Sequence, residues 1–196
     1  MLTRMFEPYE PKVMRPPAAL RDPPPADCEI VPAAAHDADA IARLTFERQG
    51  GTYEDARERA SRWLAGTTDG HNLLLVARLD RSVAGYARAG FVFGRTDEYA
   101  DVPEGWYLGG IVVAPALRRR GIGTSLTRQR IEWVAGRGAR EIFYFVNSLN
   151  RASIDLHTPF GFVEVRRNFR FPGVTFSGGG TGVLFRAPCF GSGAVS

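Results

Sequence analysis

The spacing of apolar residues divides the chain into short strands and amphipathic helices. Continuous apolar runs, such as those at 106–113 and 141–146, are typical of buried strands. We predict strands at 29–31, 72–77, 83–93, 106–113, 141–146, 162–171 and 181–186. Apolar residues at helical spacing predict helices at 37–48, 53–64, 121–137 and 150–160.

The predicted helices each bury one face. The first begins at Asp37, a residue type that caps free amides at a helix start, and its apolar positions are Ile41, Leu44 and Phe46. We expect these three side chains to face the core. In the third helix the apolar residues that share one broad face are Ile122, Leu126, Trp133 and Val134.

The middle of the chain has the order strand, glycine-rich turn, helix, strand. This order is typical of a βαβ unit, whose two strands are parallel. Shorter strands in hairpin order flank the unit on both sides. The sequence therefore predicts an α+β (mixed α/β) fold with one mixed sheet that is parallel at its centre.

Composition indicates one globular domain with an extended arm and a short tail. Residues 1–27 hold seven of the 13 prolines, which prevents a regular helix or strand there. The regular pattern covers 28–186, and the glycine-rich segment 187–196 has no predicted role. A hydrophobic content of 44% and a charged content of 23% are ordinary for a soluble protein.

Charge, hydropathy and cysteine usage narrow the function classes. A net charge of +4 does not by itself indicate a nucleic-acid partner. No apolar run approaches the ~20 residues of a membrane span, and the N-terminus lacks the apolar region of a secretory signal. Two distant cysteines and three scattered histidines form no metal-ligand spacing, so we expect free thiols, no metal site and a cytoplasmic protein.

The stretch "PALRRRGIGTSL" at 115–126 is the first candidate for chemistry. Free amides at a helix start, a positive helix dipole and glycines that allow close approach together form a phosphate site. The residues of this candidate cradle are Arg118, Arg119, Arg120, Gly121, Ile122, Gly123 and Thr124. The stretch lacks the lysine of a P-loop and the third glycine of a dinucleotide motif. A nucleic-acid patch and a charged turn without function remain alternatives from spacing alone.

Two motifs in order resemble the GNAT superfamily of acyl-CoA-dependent N-acyltransferases. "GGIVVAPALRRRGIGTSL" is similar to its pyrophosphate motif [RQ]xxGx[GA], with Arg118, Gly121 and Gly123 at the motif positions. "NRASIDLHTPFGF" resembles its second motif NxxAxxLYxxxGF, with Asn150 and Ser153 at matching positions. The resemblance covers roughly 28–186 and favours the phosphate cradle over the alternatives.

The resemblance implies a fold and a cosubstrate. The fold is a mixed sheet of six to seven strands with about four helices, in which parallel strands 4 and 5 splay apart. A bulge in strand 4, for which Gly109 and Gly110 are suited, opens the gap for the pantetheine arm of acetyl-CoA. The main chain of Ile111, Val112 and Val113 would then pair with pantetheine.

The resemblance also implies direct attack of an amine on the thioester, with catalytic groups near the bulge. His157 stands where the family commonly has a tyrosine proton donor, and its alternative is packing against the cofactor. Tyr107 falls where many members have a glutamate base, with Glu104 just upstream. Tyr107 is equally suited to line the acceptor pocket or to belong to the core.

We therefore predict an N-acetyltransferase that acts on the primary amine of a small molecule. Acetylation of a protein N-terminus or lysine, and a CoA-binding sensor without turnover, are the alternatives. Phe46, Tyr53 and Trp63 are candidate walls of the acceptor site or ordinary core residues. The acidic loop at 94–105 would attract a cationic amine, or is simply solvated. We expect no nucleic-acid or membrane partner and leave a homodimer open.

Overall fold

The computed structural model describes residues 24–94, 97–176 and 178–189. Most of the predicted proline-rich arm and most of the predicted tail lie outside the described residues. Within the described residues, no helix has both the length and the apolar character needed to cross a membrane.

Within residues 24–189 as described, seven strands form one sheet in the order β1-β2-β3-β4-β5-β7-β6. The strands are β1 (Glu29–Pro32), β2 (Asn72–Leu79), β3 (Ser82–Val92), β4 (Gly105–Val113), β5 (Glu141–Asn147), β6 (Val163–Arg167) and β7 (Gly182–Pro188). Neighbouring strands are antiparallel except for β4 and β5, which are parallel. The mixed sheet with a parallel centre is confirmed. The sixth strand ends earlier than predicted, because the backbone turns to a positive φ of 54° at Asn168.

In the part of the chain that the structure describes, four α-helices cover the sheet: α1 (Ala38–Gln49), α2 (Tyr53–Ala65), α3 (Ile122–Ala135) and α4 (Arg151–His157). Side-chain caps fix two of their starts. The hydroxyl of Thr52 accepts from the amide of Asp55 at 3.1 Å, and the side chain of Asn150 accepts from the amide of Ser153 at 3.2 Å. These bonds satisfy amides that have no partner inside the helix.

The two faces of the sheet carry separate cores. Side chains alternate along β2, so Leu73 and Leu75 pack on the face of α3, while Leu74 and Val76 pack on the face of α1 and α2. A third cluster, at the end of β4, includes Val102 from the loop that was predicted to be polar. Both faces of the central strands are therefore covered, as their continuous apolar runs require.

The prediction that Phe46 faces the core is wrong. Ile41, Leu44 and Thr45 of α1 are buried, whereas Phe46 is 39% exposed. Five residues of helix separate Ile41 from Phe46, which turns Phe46 about 140° away from the buried face. Its ring instead meets the ring of Tyr53 edge-on, with a centroid distance of 6.5 Å.

Strand β4 contains the expected bulge and leaves β5 soon after they meet. Ala87 pairs with Ile111 and Ala89 with Leu108, so the single residue Arg88 lies opposite Gly109 and Gly110. In the described part of the sheet, β4 and β5 pair at one register position, Tyr107 with Phe143. The two strands therefore splay apart beyond this pair, and a gap opens beside the second half of β4.

Candidate functional site

The start of α3 presents backbone amides toward the gap. Gly121 has a φ of 75°, a left-handed conformation that favours glycine, and this turn starts the helix. The first intrahelical bond joins the amide of Ser125 to the carbonyl of Gly121 at 3.0 Å. The amides of Ile122, Gly123 and Thr124 precede this bond, so they are donors for an external oxygen.

The three predicted arginines surround this helix start at the surface. Arg118, Arg119 and Arg120 are all exposed. The Nε of Arg118 donates to the carbonyl oxygen of Val113 at 3.1 Å, which ties the turn to the end of β4. Positive charge, a helix dipole and free amides therefore converge on one spot, an arrangement that binds phosphate.

The edge of β4 next to the gap offers further main-chain groups. On its other side β4 is held by β3, where the amide of Ala114 donates to the carbonyl of Ala84 at 2.9 Å. Bonded positions alternate along an antiparallel pair, so the main chains of Ile111 and Val113 face the gap and that of Val112 faces β3. An extended amide chain is able to bind here as an added strand.

Helix α4 closes the gap from the side of α3. Leu156 of α4 contacts the start of α3, since its methyl groups lie 3.6 Å from the position of a Cβ on Gly123. Asn150 and Ser153, the predicted cofactor contacts of the second motif, lie at the first turn of α4. Their capping bond holds the two residues together at the start of α4.

His157 is buried and neutral. Its ring stacks on Tyr144 of β5 with a centroid distance of 4.2 Å, and Nδ1 lies 2.8 Å from the carbonyl oxygen of Ser153. Because a carbonyl only accepts, Nδ1 carries the proton and Nε2 is the unprotonated nitrogen. Among the described residues, the buried Nε2 has no hydrogen-bond partner. Burial, with the nearby charge of Arg130, lowers the pKa of His157 to about 3.

The low pKa of His157 predicts acid sensitivity of the fold. The unfolded chain takes up a proton on this histidine below its usual pKa of about 6.5, whereas the folded chain stays neutral down to about pH 3. Above pH 6.5 the histidine is neutral in both states and does not lower the free energy of unfolding. As the pH falls from 6.5 to 3, the free energy of unfolding decreases by about 1.4 kcal/mol per pH unit.

His157→Phe keeps an aromatic ring at this position and removes the titration. Between pH 7 and pH 5, the free energy of unfolding of the parent chain should fall by about 2 kcal/mol more than that of His157→Phe. Urea unfolding at both pH values measures the difference. Equal losses would show that His157 is protonated in the folded chain.

Tyr107 and Glu104 lie away from the bulge. The hydroxyl of Tyr107 donates to the carbonyl oxygen of Pro103 at 2.9 Å, and burial raises the pKa of this phenol. The carboxylate of Glu104 is exposed and accepts from the amide of Gly94 at 3.2 Å. Five residues of strand, about 16 Å, separate Glu104 from Gly109. The structure therefore brings neither oxygen to the bulge.

An aromatic cleft lies on the face of the sheet that α1 and α2 cover. It extends across β2, β3, β4 and β5 and has a volume of about 380 Å³. Trp63 of α2 and Tyr107 of β4 form two of its walls. Phe171 and Val174, from the segment between β6 and β7, form another. Of the predicted acceptor walls, Trp63 lines this cleft, while Phe46 and Tyr53 lie outside it.

Two arginines near the bulge, the buried Arg130 and the half-buried Arg88, were missed from the sequence. Arg130 of α3 is fully buried, and its Nη1 donates to the carbonyl oxygens of Arg88 and Gly109 at 3.0 and 3.1 Å. Burial lowers the pKa of Arg130 to about 9. A signal was available, because Arg130 lies four residues from both Leu126 and Val134 on the buried stripe of α3.

Comparison with known proteins gives one family and consistent folds. The family model described as acetyltransferase (GNAT) family matches residues 37–162. An aminoglycoside N(6')-acetyltransferase type 1 of Klebsiella aerogenes is 39% identical over 71 residues, which are 35% of this chain and 43% of that enzyme. The chain therefore matches less than half of the length of that relative.

Solved structures match over nearly their whole length. A ribosomal-protein-alanine N-acetyltransferase from Brucella melitensis is 25% identical with a TM-score of 0.64, covering 82% of this chain and 99% of that chain. A phosphinothricin acetyltransferase from Sinorhizobium meliloti, in complex with AcCoA, is 24% identical with a TM-score of 0.64, covering 85% and 91%.

Proposed function

The chain belongs to the acetyltransferase (GNAT) family, and we propose that it transfers an acetyl group from acetyl-CoA to a primary amine of a small molecule. The amine attacks the thioester directly while donor and acceptor are bound together. The observation that carries this proposal is the convergence of the free amides of α3 and the open edge of β4 at one gap.

The residues present fit acetyl-CoA, which supplies the activated acetyl group when bound. The amides of Ile122, Gly123 and Thr124 suit the pyrophosphate, with Arg118, Arg119 and Arg120 adding positive charge at the surface. The main chains of Ile111 and Val113 suit the pantetheine amides, and Val112 holds the strand in place. Asn150 and Ser153 border the gap at the start of α4.

The low pKa of His157 disfavours both a charged proton donor and a proton acceptor at neutral pH. Its proposed role is therefore that of a neutral imidazole whose Nε2 accepts a hydrogen bond, and no proton step is assigned to it. Tyr107 keeps its proton and lines the acceptor cleft. We assign no catalytic step to Glu104. Its carboxylate accepts a hydrogen bond from the amide of Gly94 in the segment that connects β3 to β4.

A small-molecule acceptor suits the size and the lining of the cleft. Its volume is about 380 Å³, and Trp63, Phe171 and Val174 are among its lining residues. The relative from Klebsiella aerogenes is named for a small-molecule amine, whereas the structure from Brucella melitensis is named for a protein substrate.

Release of free CoA thiol from acetyl-CoA tests the proposal. We expect turnover with members of a small-amine panel and little with peptides that carry free N-termini or lysines. Turnover with peptides alone would support a protein acetyltransferase. Binding of CoA without turnover on any amine or peptide would support a sensor and contradict the proposal.

A further inference from the structure

Arg88 is a half-buried cation without an anionic partner in the described part of the chain. It lies in β3, and its guanidinium carbon is 3.9 Å from the centroid of the Trp63 ring. Its Nε is buried and has no hydrogen-bond partner among the described residues, and no ion pair forms there either. Burial lowers the pKa of this guanidinium. Stacking on Trp63 therefore supports a charge whose buried Nε makes no hydrogen bond.

The guanidinium of Arg88 faces the aromatic cleft. Among the described residues that line this cleft, the charged ones are Arg62 and Arg88, and no carboxylate joins them. Arg62 lies at the exposed rim, where its Nη2 is 2.7 Å from the Glu58 carboxylate. The uncompensated charge in the cleft is therefore that of Arg88.

A partly buried charge without a counter-ion is costly in proportion to its burial, and a ligand anion reduces this cost when it binds. The planar fork of arginine matches a carboxylate, with two parallel hydrogen bonds. Most of the remaining lining is apolar and includes Trp63, Phe91, Phe145, Phe171 and Val174, while Asn72 and Tyr107 add polar groups. Such a site suits a molecule that has one carboxylate and an apolar body.

We propose that Arg88 binds the carboxylate of the acceptor, so that the acceptors of this enzyme are amino acids with apolar side chains. This inference rests on the proposed function and names the substrate class of the same site. It makes Arg88 a specificity-determining residue. The aromatic walls bind the apolar side chain, and the amine of the same molecule is the acetylated group.

The position of Arg88 relative to the bulge agrees with this role. Arg88 lies opposite Gly109 and Gly110, and its Nη2 is 3.9 Å from the position of a Cβ on Gly110. Gly109 makes the approach possible, since its own Cβ would lie 3.2 Å from that of Arg88. A carboxylate on Arg88 therefore places the amine of an amino acid close to the bulge.

The acidic loop does not supply a competing cation site in the cleft. Its carboxylates were predicted to attract a cationic amine, yet none of them lines the cleft. The four residues are Asp97, Glu98, Asp101 and Glu104. The positive charge of Arg88 would repel a polycationic acceptor, and no carboxylate among the described lining residues of the cleft would offset this repulsion. We therefore expect poor turnover of aminoglycosides.

Matched acceptors with and without the carboxylate test the proposal. At saturating acetyl-CoA, we compare kcat/KM for L-phenylalanine with phenethylamine, and for L-tryptophan with tryptamine. The amino acids should be preferred about 10- to 100-fold, which is the range expected for hydrogen bonds to a buried charge. Arg88→Gln should reduce this preference to near parity and leave the Kd for acetyl-CoA unchanged.

Two further variants serve as controls. Arg137→Gln removes the same charge from a matched arginine–tryptophan pair outside the cleft, where Arg137 lies 3.2 Å from the centroid of Trp133. It should keep the full preference. Arg88→Lys keeps the positive charge but removes the planar guanidinium, so it should keep part of the preference for amino acids. This variant tests the role of Arg88 even if Arg88→Gln does not fold.

The outcomes separate this inference from the proposed function. Acetylation that favours the amines without a carboxylate, or an equal effect of Arg137→Gln, would overturn the role of Arg88. If no amine of any kind is acetylated, the proposed function fails. In that case, calorimetric titration of L-phenylalanine into the CoA-loaded protein tests whether Arg88 binds the carboxylate. Binding to the parent protein that is lost in Arg88→Gln would support this role of Arg88. No binding to the parent protein would overturn it.

Discussion

Gly123→Asp should abolish acetyl-CoA binding. Gly123 lies in the first turn of α3, where its amide precedes the first intrahelical bond. An aspartate places a negative charge and a side chain among the amides that we assign to the pyrophosphate. We expect Kd to increase by at least about 100-fold, which corresponds to about 2.7 kcal/mol. Isothermal titration of acetyl-CoA measures this.

Gly123→Ala is the matched control. A Cβ at this position would lie 3.6 Å from the methyl groups of Leu156, an ordinary contact, so alanine fits and should change Kd by no more than about threefold. Aspartate in a first helical turn is favoured by the helix dipole, so Gly123→Asp should still fold. A folded Gly123→Asp protein with normal affinity would place the phosphates elsewhere.

The sequence was sufficient for the parallel centre of the sheet because its signals are local. The apolar runs of β4 and β5 and the glycine-rich turn between them define a βαβ unit without help from distant residues. The bulge and the gap were expected from the resemblance to the GNAT superfamily, and two adjacent glycines in an otherwise apolar strand were suited to the bulge. The signals of the βαβ unit all lie within one continuous segment of the sequence, from β4 to β5.

The electrostatics of the site depend on contacts between distant segments. The neutral state of His157 requires burial against Tyr144 and the charge of Arg130. Arg88 follows Tyr86 at strand spacing, which indicates the same buried face, but its partner Trp63 comes from α2. The bond of Tyr107 to Pro103 likewise requires the loop to fold back.

Gly182→Ala should cause the largest loss of stability. Gly182 begins β7, and a Cβ there would collide with the carbonyl oxygen of Phe169, a backbone atom that a side-chain rotation cannot move. The two backbones are also tied, since the amide of Phe169 donates to the carbonyl of Gly182 at 2.9 Å. We expect a loss of about 2–4 kcal/mol, which lowers Tm by roughly 6–12 °C.

The damage from Gly182→Ala should reach the acceptor cleft and spare the cofactor site. Phe169 anchors the segment that carries Phe171 and Val174 against the cleft, so KM for the acceptor should increase while Kd for acetyl-CoA stays unchanged. Gly136→Ala is the control, because Gly136 has a helical conformation with ordinary contacts at 3.5 Å and should lose no stability. An unchanged Tm and KM in Gly182→Ala would show that the segment is not held by this close approach, and the cleft wall would then have to be supported by the aromatic stacking of Phe171 on Phe145.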